Sequence, residues 1–331
     1  MDVGHDRRVH RRAVAMRRAL LVGIDHYDHQ RPLTGCVNDA TALQPLLARN
    51  EDSTKNLDCR LLTGTVTRND LLGGVRALLA GGADFAVLYF AGHGTPVDGD
   101  VALVTSDGQG ETPGVLFAEV LTIARKSQVK EIVVILDCCF SGGAGTVAAL
   151  TEAAVLRSGM SILTASRGDQ YSAEAGGRGL FSTHLEGAIE GGAADVLGHV
   201  TVAGLYAYVS ECFDAWEQRP TFKANVDRLH DLRRCEPSVP LPTLHKLLEW
   251  FPDPAHHYQL DPTYEPDKSQ SGLDPHPEHE EIFDQLQKCR ANKLVEPVDH
   301  QHMYFAAMES GSCRLTPLGR HYWQMAKRGT L

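Results

Sequence analysis

An α/β fold with a mainly parallel central sheet, followed by a small mainly helical module, is what this 331-residue sequence predicts. Three observations carry that reading. The runs DFAVLYFAGHG at 84–94 and EIVVILDCCFSGG at 131–143 are continuous in Val, Ile, Leu and Phe, and a strand apolar on both sides belongs in a parallel sheet with helices on both faces, a three-layer sandwich. Segments of helical spacing alternate with such runs. Past Pro237 the texture changes to dense Pro and His in SVPLP, WFPDPAHHYQLDPTYEPD and SGLDPHPEHE, which places a boundary near 236.

The elements follow in order. RRALLVGID at 17–25 reads as a short buried strand that ends in a polar turn, and NDATALQPLLARN at 38–50 as a helix behind an Asn cap. LDCRLLTG at 57–64 is the next strand, and TRNDLLGGVRALLAGG at 67–82 an amphipathic helix stopped by Gly81 and Gly82. After the two clear strands come MSILTAS at 160–166, a further buried strand, and helices over 179–192 and 201–216. The predicted organisation is a basic arm at 1–16, one α/β domain over 17–236, a Pro-rich linker over 237–275 and a helical module over 276–331. Met16 offers a second start, which would remove most of the arm.

Composition excludes several classes. Every apolar run stops well short of the roughly 20 residues a bilayer requires, so no membrane association is expected, and no secretory leader is recognisable. Eight cysteines without framework spacing fit reduced thiols and a cytoplasmic location. A formal charge of -10 argues against nonspecific affinity for nucleic acid.

Two strand ends carry reactive side chains, and open α/β sheets bind ligands at the carboxyl ends of their strands. His93 lies between Gly92 and Gly94, whose missing side chains let a peptide backbone approach the imidazole. A thiol at Cys138 or Cys139 lies far enough along the chain for one crossover, 139 - 93 = 46 residues. A thiolate beside an imidazole is an activated nucleophile. The amides of Gly94 and Cys139 are candidates for polarising a carbonyl oxygen.

The set GCVNDA at 35–40, YFAGHG at 89–94 and DCCFSG at 137–142 resembles the caspase-like peptidases, and among them most the metacaspases and their bacterial relatives. GRGLF at 177–181 and QRPTF at 218–222 resemble later segments of the same family. The resemblance implies a caspase-like sandwich and a cysteine endopeptidase with His93 and Cys139 as the catalytic pair. Cys138 then occupies a variable position on the opposite face of its strand, as a buried thiol. It further implies an acidic pocket from Cys36, Asp39 and Asp137, with Ala91 where the family has a serine. Such a pocket takes Arg or Lys from a protein substrate and rejects Asp. No cofactor is required. Calcium is open, with Asp98, Asp100 and Asp107 as oxygen ligands, although Thr146 stands where a further acid is expected and loop solvation is the alternative. Arg157, in an Ala- and Gly-rich stretch, is a candidate site of self-processing, with an uncut connection as the alternative. Bacterial relatives suggest a role in stress, cell death or defence against phage.

The terminal module loosely resembles a winged helix, a helix and a short hairpin before a helix after Thr316-Pro317. The acidic EHEE at 278–281 favours docking an activating protein over binding DNA. His276, His279, Cys289, His300, His302, Cys313 and His321 match no compact zinc spacing. Two other functions remain beside the peptidase: a nonenzymatic adaptor on the same fold, and a DNA-binding regulator acting through the module.

Overall fold

The computed structural model describes residues 16–138, 155–165, 174–175, 178–213, 220–227 and 229–331. The chain divides into two compact units, Met1–Ala194 with Val200–Cys235, and Asp195–His199 with Glu236–Leu331.

The first unit is built from β1 (Arg17–Gly23), α1 (Cys36–Ala48), β2 (Asp58–Thr63), α2 (Arg68–Leu78), β3 (Phe85–Ala91), β4 (Gly94–Val97), β5 (Asp100–Gln109), β6 (Thr112–Leu116), α3 (Phe117–Lys126), β7 (Glu131–Asp137), β8 (Met160–Thr164), α4 (Leu180–Gly187) and α5 (Val202–Cys212). Its sheet runs β2, β1, β3, β7, β8 in parallel, and the strand Thr221–Asn225 closes the β8 edge antiparallel. All seven residues of β3 are buried, as its unbroken apolar run requires of a strand covered on both faces. Alternation divides the core. Leu20, Val22, Leu88, Phe90, Val134 and Leu136 pack with Leu71, Val75 and Val120 of α2 and α3, while Leu21, Val87, Tyr89, Val133 and Ile135 pack with Leu43, Leu185 and Leu205 of α1, α4 and α5. Truncating one large side chain here, Phe90→Ala for instance, costs about 3–5 kcal/mol.

Local devices set where the helices begin. Thr67 and Asp70 form a reciprocal capping box at α2. At α1 no side chain of the preceding Gly35 caps the helix. Asp25, past the end of β1, does so instead by accepting from the amides of Cys36 at 2.9 Å and Val37 at 3.3 Å. This distant cap explains why the helix starts at Cys36, ahead of the boundary that local spacing suggests. The first turn passes so near the sheet that a Cβ on Gly23 would stand 2.2 Å from the Cys36 carbonyl oxygen.

Three expectations are corrected. The stretch after His93, whose acids read as calcium ligands or as the solvated face of a loop, forms the antiparallel set β4, β5, β6. The Pro-rich stretch 237–275 is no linker: it contains the helix Leu241–Trp250 and the strand His257–Gln259. Leu244, Leu247, Trp250, Phe251, Leu260 and Tyr264 from it enter the core of the second unit with Phe283, Leu286, Tyr322 and Trp323, and Trp323 Nε1 donates to the Phe251 carbonyl at 2.7 Å. Pro242 sits in the first turn, where its missing N–H costs nothing. The expected hairpin is also modified, because the antiparallel strands Val295–Val298 and Ser312–Leu315 are joined through the helix Met303–Met308. The helices Pro277–Ala291 and Pro317–Arg328 complete this unit.

Candidate active site

The site grows from the carboxyl ends of β3 and β7. The register pairs Ala91 with Asp137, and Gly92 N–H donates to the Asp137 carbonyl at 3.3 Å just beyond. His93 follows at once. Its backbone N–H donates to the Tyr27 hydroxyl at 2.9 Å, and that hydroxyl donates to the Ile24 carbonyl at 3.0 Å. The Tyr27 ring lies 4.7 Å from the imidazole, centroid to centroid. His93 Nε2 is 2.7 Å from the Arg31 carbonyl oxygen. A carbonyl only accepts, so this contact places the proton on Nε2 and leaves Nδ1 as the basic nitrogen of the neutral ring. Val104 N–H donates to the His93 carbonyl at 3.0 Å, which makes the next pair, Gly94 with Leu103, the non-hydrogen-bonded one. The Gly94 N–H therefore points away from β5.

Beside this centre lies a buried acidic cluster. Asp39, on α1, is 2% exposed, and burial raises its pKa despite the opposing effects of Arg178 and the Gly179 amide. Asp137 ends β7 and is pushed up to about 6 by burial, against hydrogen bonds from Ser182 and Tyr89 that favour its charge. Ser182 Oγ donates to Asp137 Oδ2, the Tyr89 hydroxyl lies 3.3 Å from the same oxygen, and the two hydroxyls are 2.6 Å apart. Tyr89 is held well above its ordinary pKa by burial, so it is a neutral donor. The two carboxylates converge on Gly179, where a Cβ would stand 3.3 Å from Asp39 Oδ2 and 3.4 Å from Asp137 Oδ2. Cys36 opens α1 nearby, and burial, with Asp25, Asp137 and Asp39 after it, raises its thiol far above the usual range.

A family model for the caspase domain, peptidase family C14, matches residues 16–229. The chain belongs to the caspase family. Metacaspase-1 of Schizosaccharomyces pombe is 30% identical over 180 residues, which cover 45% of this chain and 41% of that protein. The match thus spans well under two thirds of that relative. Among solved structures, a protein of Geobacter sulfurreducens superposes with a TM-score of 0.51 at 17% identity, covering 67% of this chain and 98% of that one. Caspase-1 of Spodoptera frugiperda gives 0.46 at 14%, covering 66% and 92%. At such identities the first shows the fold alone, and the second carries no argument. The fold is the mainly parallel α/β sandwich that the sequence suggested.

The remaining site residues of this caspase-family chain are placed as follows. Cys139 lies outside the described residues. Cys138 is 2% exposed within the cluster below α2 and α3, the buried position expected of it. Cys36, Asp39 and Asp137 are brought together, and Ala91 is buried at the end of β3. The suggested calcium ligands are not gathered. Asp98 sits at a left-handed turn with φ 46°, Asp100 Oδ2 accepts from Ala118 N at the start of α3, and Asp107 Oδ1 accepts from Arg68 N at the start of α2. Asp100 and Asp107 thus serve helix N-termini. Among the described residues no group of three His, Cys, Asp or Glu side chains could hold a metal ion. Arg157 is also occupied: its guanidinium donates to the carbonyls of Ala124, Ser127, Val129, Lys130 and Ser158 at 2.5–3.3 Å. It clamps the end of α3, and that engagement opposes its use as a cut site. Sequence reasoning missed Tyr27, the Arg31 carbonyl, Tyr89, Ser182, Arg178 and Glu186. Tyr89 opens YFAGHG, and Arg178 lies inside GRGLF with Ser182 just after it, but nothing in those segments names partners as remote as Asp39 and Asp137.

Proposed function

We propose that this chain is a cysteine endopeptidase that cuts proteins after Arg or Lys. The observation that supports the reading most is the convergence of Asp39 and Asp137 on the Cβ-free space at Gly179, beside a histidine whose Nε2 is committed to a backbone carbonyl. In this mechanism the Cys139 thiol gives its proton to His93 Nδ1 and its sulfur attacks the scissile carbonyl carbon. The Gly94 and Cys139 amides stabilise the oxyanion. Collapse expels the amine with the proton from His93, and water, deprotonated by the same ring, hydrolyses the thioester. The P1 head group sits against the carboxylates, whereas an aspartate there would face like charge in poor solvation.

Activation by a partner or signal acting through the C-terminal unit, in a stress, cell-death or antiphage setting, belongs to the same proposal. So does a cytoplasmic location; among the described residues no helix is long and apolar enough to cross a membrane. The adaptor reading would leave the acidic cluster without a task. The test is hydrolysis of fluorogenic peptides ending in Arg, Lys or Asp, by wild type and by Cys139→Ala, with and without calcium. Cleavage after Arg and Lys, abolished by the substitution, is expected. Cleavage after Asp alone would overturn the pocket assignment.

A further inference from the structure

The acidic pocket already contains a guanidinium. Arg178 Nε donates to Asp39 Oδ1 at 3.0 Å, and its NH1 group donates to the Glu186 carboxylate. The next residue completes the contact, because Gly179 N–H donates to Asp39 Oδ2 at 3.2 Å. Both oxygens of Asp39 are therefore engaged by two consecutive residues of one strand. While they stay, no substrate guanidinium can make a paired contact with Asp39.

We propose that Arg178 is a built-in pseudosubstrate, an arginine that occupies the pocket for basic side chains and must leave before the P1 residue of a protein can enter. The proposal rests on the reading of that pocket given above. Three further observations separate an occupant from a fixed wall. First, the NH2 group of Arg178 is buried and has no hydrogen-bond partner among the described residues, an expensive state for a cationic donor. Second, the side chain retains 24% exposure whereas that of Asp39 retains 3%, so the guanidinium stands between a buried carboxylate and solvent. Third, Arg178–Gly179 is a two-residue strand paired antiparallel with Glu174–Ala175, and an isolated ladder of that size is cheap to open.

The chemistry also names the preferred guest. Asp39 and Glu186 receive two different nitrogens of one planar group. An ammonium, as a point charge, cannot reproduce that division. Arginine is then favoured over lysine at P1, and the open fraction of the pocket scales the apparent affinity for it.

Binding measured without turnover separates this proposal from the peptidase reading. In a Cys139→Ala background, the anisotropy of a fluorescein-labelled peptide with Arg at P1 is compared with that of the same peptide carrying norleucine. The comparison is made with Arg178 intact, with Arg178→Ala and with Arg178→Gln, each variant checked for native melting. Arg178→Ala is expected to tighten the Arg peptide about 10-fold, Arg178→Gln to tighten it by less, and the norleucine peptide to be unaffected. If Arg178→Ala fails to fold, Arg178→Gln alone decides, since it removes the guanidinium and keeps most of the side chain's length. Unchanged or weaker binding of the Arg peptide in the folded variants would make Arg178 a wall and overturn the proposal while leaving the pocket. Equal affinity for the Arg and norleucine peptides in every variant would remove the basic pocket, and the pseudosubstrate with it.

Discussion

Replacing Asp137 by asparagine separates the cost of a buried charge from its use. Burial raises its pKa from 3.8 to about 6. At about 1.4 kcal/mol per pH unit that difference corresponds to about 3 kcal/mol. The sign follows from the direction: the folded state binds the proton more tightly than the unfolded chain. The stabilisation is present below pH 4 and is lost as pH rises from about 4 through about 6. An amide oxygen can still accept from Ser182 and Tyr89, which both address Oδ2 in the wild type. Asp137→Asn should therefore be more stable than wild type at pH 8 by up to about 3 kcal/mol, with the gap closing toward pH 4. Hydrolysis after Arg should fall about 100-fold at pH 8, the loss of one charge-assisted contact. Denaturant melts at pH 4, 6 and 8 with parallel peptide assays read both quantities. Parallel stability curves for the two proteins, with no convergence at low pH, would refute the reasoning.

Other substitutions probe the frame. Gly179→Ala puts a methyl 3.3–3.4 Å from both carboxylates and should cut turnover of Arg peptides about 10-fold with little change in melting temperature. Gly23→Ala meets the Cys36 carbonyl at 2.2 Å, and a displaced α1 should cost about 3 kcal/mol in denaturant titrations. Arg157→Ala should destabilise by about 2 kcal/mol through unpaired carbonyls at the end of α3, and on incubation gel bands from the variant should match those from the wild type.

The strands were legible because a parallel sheet covered on both faces demands continuous apolar residues, and β1, β3, β7 and β8 supply them. The set β4 to β6 was not, since Gly94, Gly99, Gly108 and Gly114 interrupt its pattern and its acids read as a solvated loop. The helix Leu241–Trp250 was hidden by prolines that its first turn tolerates. In the site, Asp39 and Asp137 were readable from their positions in motifs. Arg178, 139 residues from Asp39, and the Arg31 carbonyl, 62 residues from His93, were not. A hydrogen bond between remote segments leaves no periodicity, and a backbone carbonyl leaves no residue preference at all.

The central claim, that Cys139 is a nucleophile serving a pocket for basic side chains, is tested most directly by covalent capture. The protein is treated with a peptide acyloxymethyl ketone carrying Arg at P1, or with its Asp counterpart, and the modified cysteine is found by peptide mass spectrometry. Burial holds Cys59, Cys289 and Cys313 up at about 12 and Cys36 higher still, so these thiols should stay unreacted. The account predicts modification of Cys139 by the Arg reagent, absent with the Asp reagent and greatly slowed in His93→Ala. Capture of Cys36 or Cys138 instead, or faster capture by the Asp reagent, would contradict it.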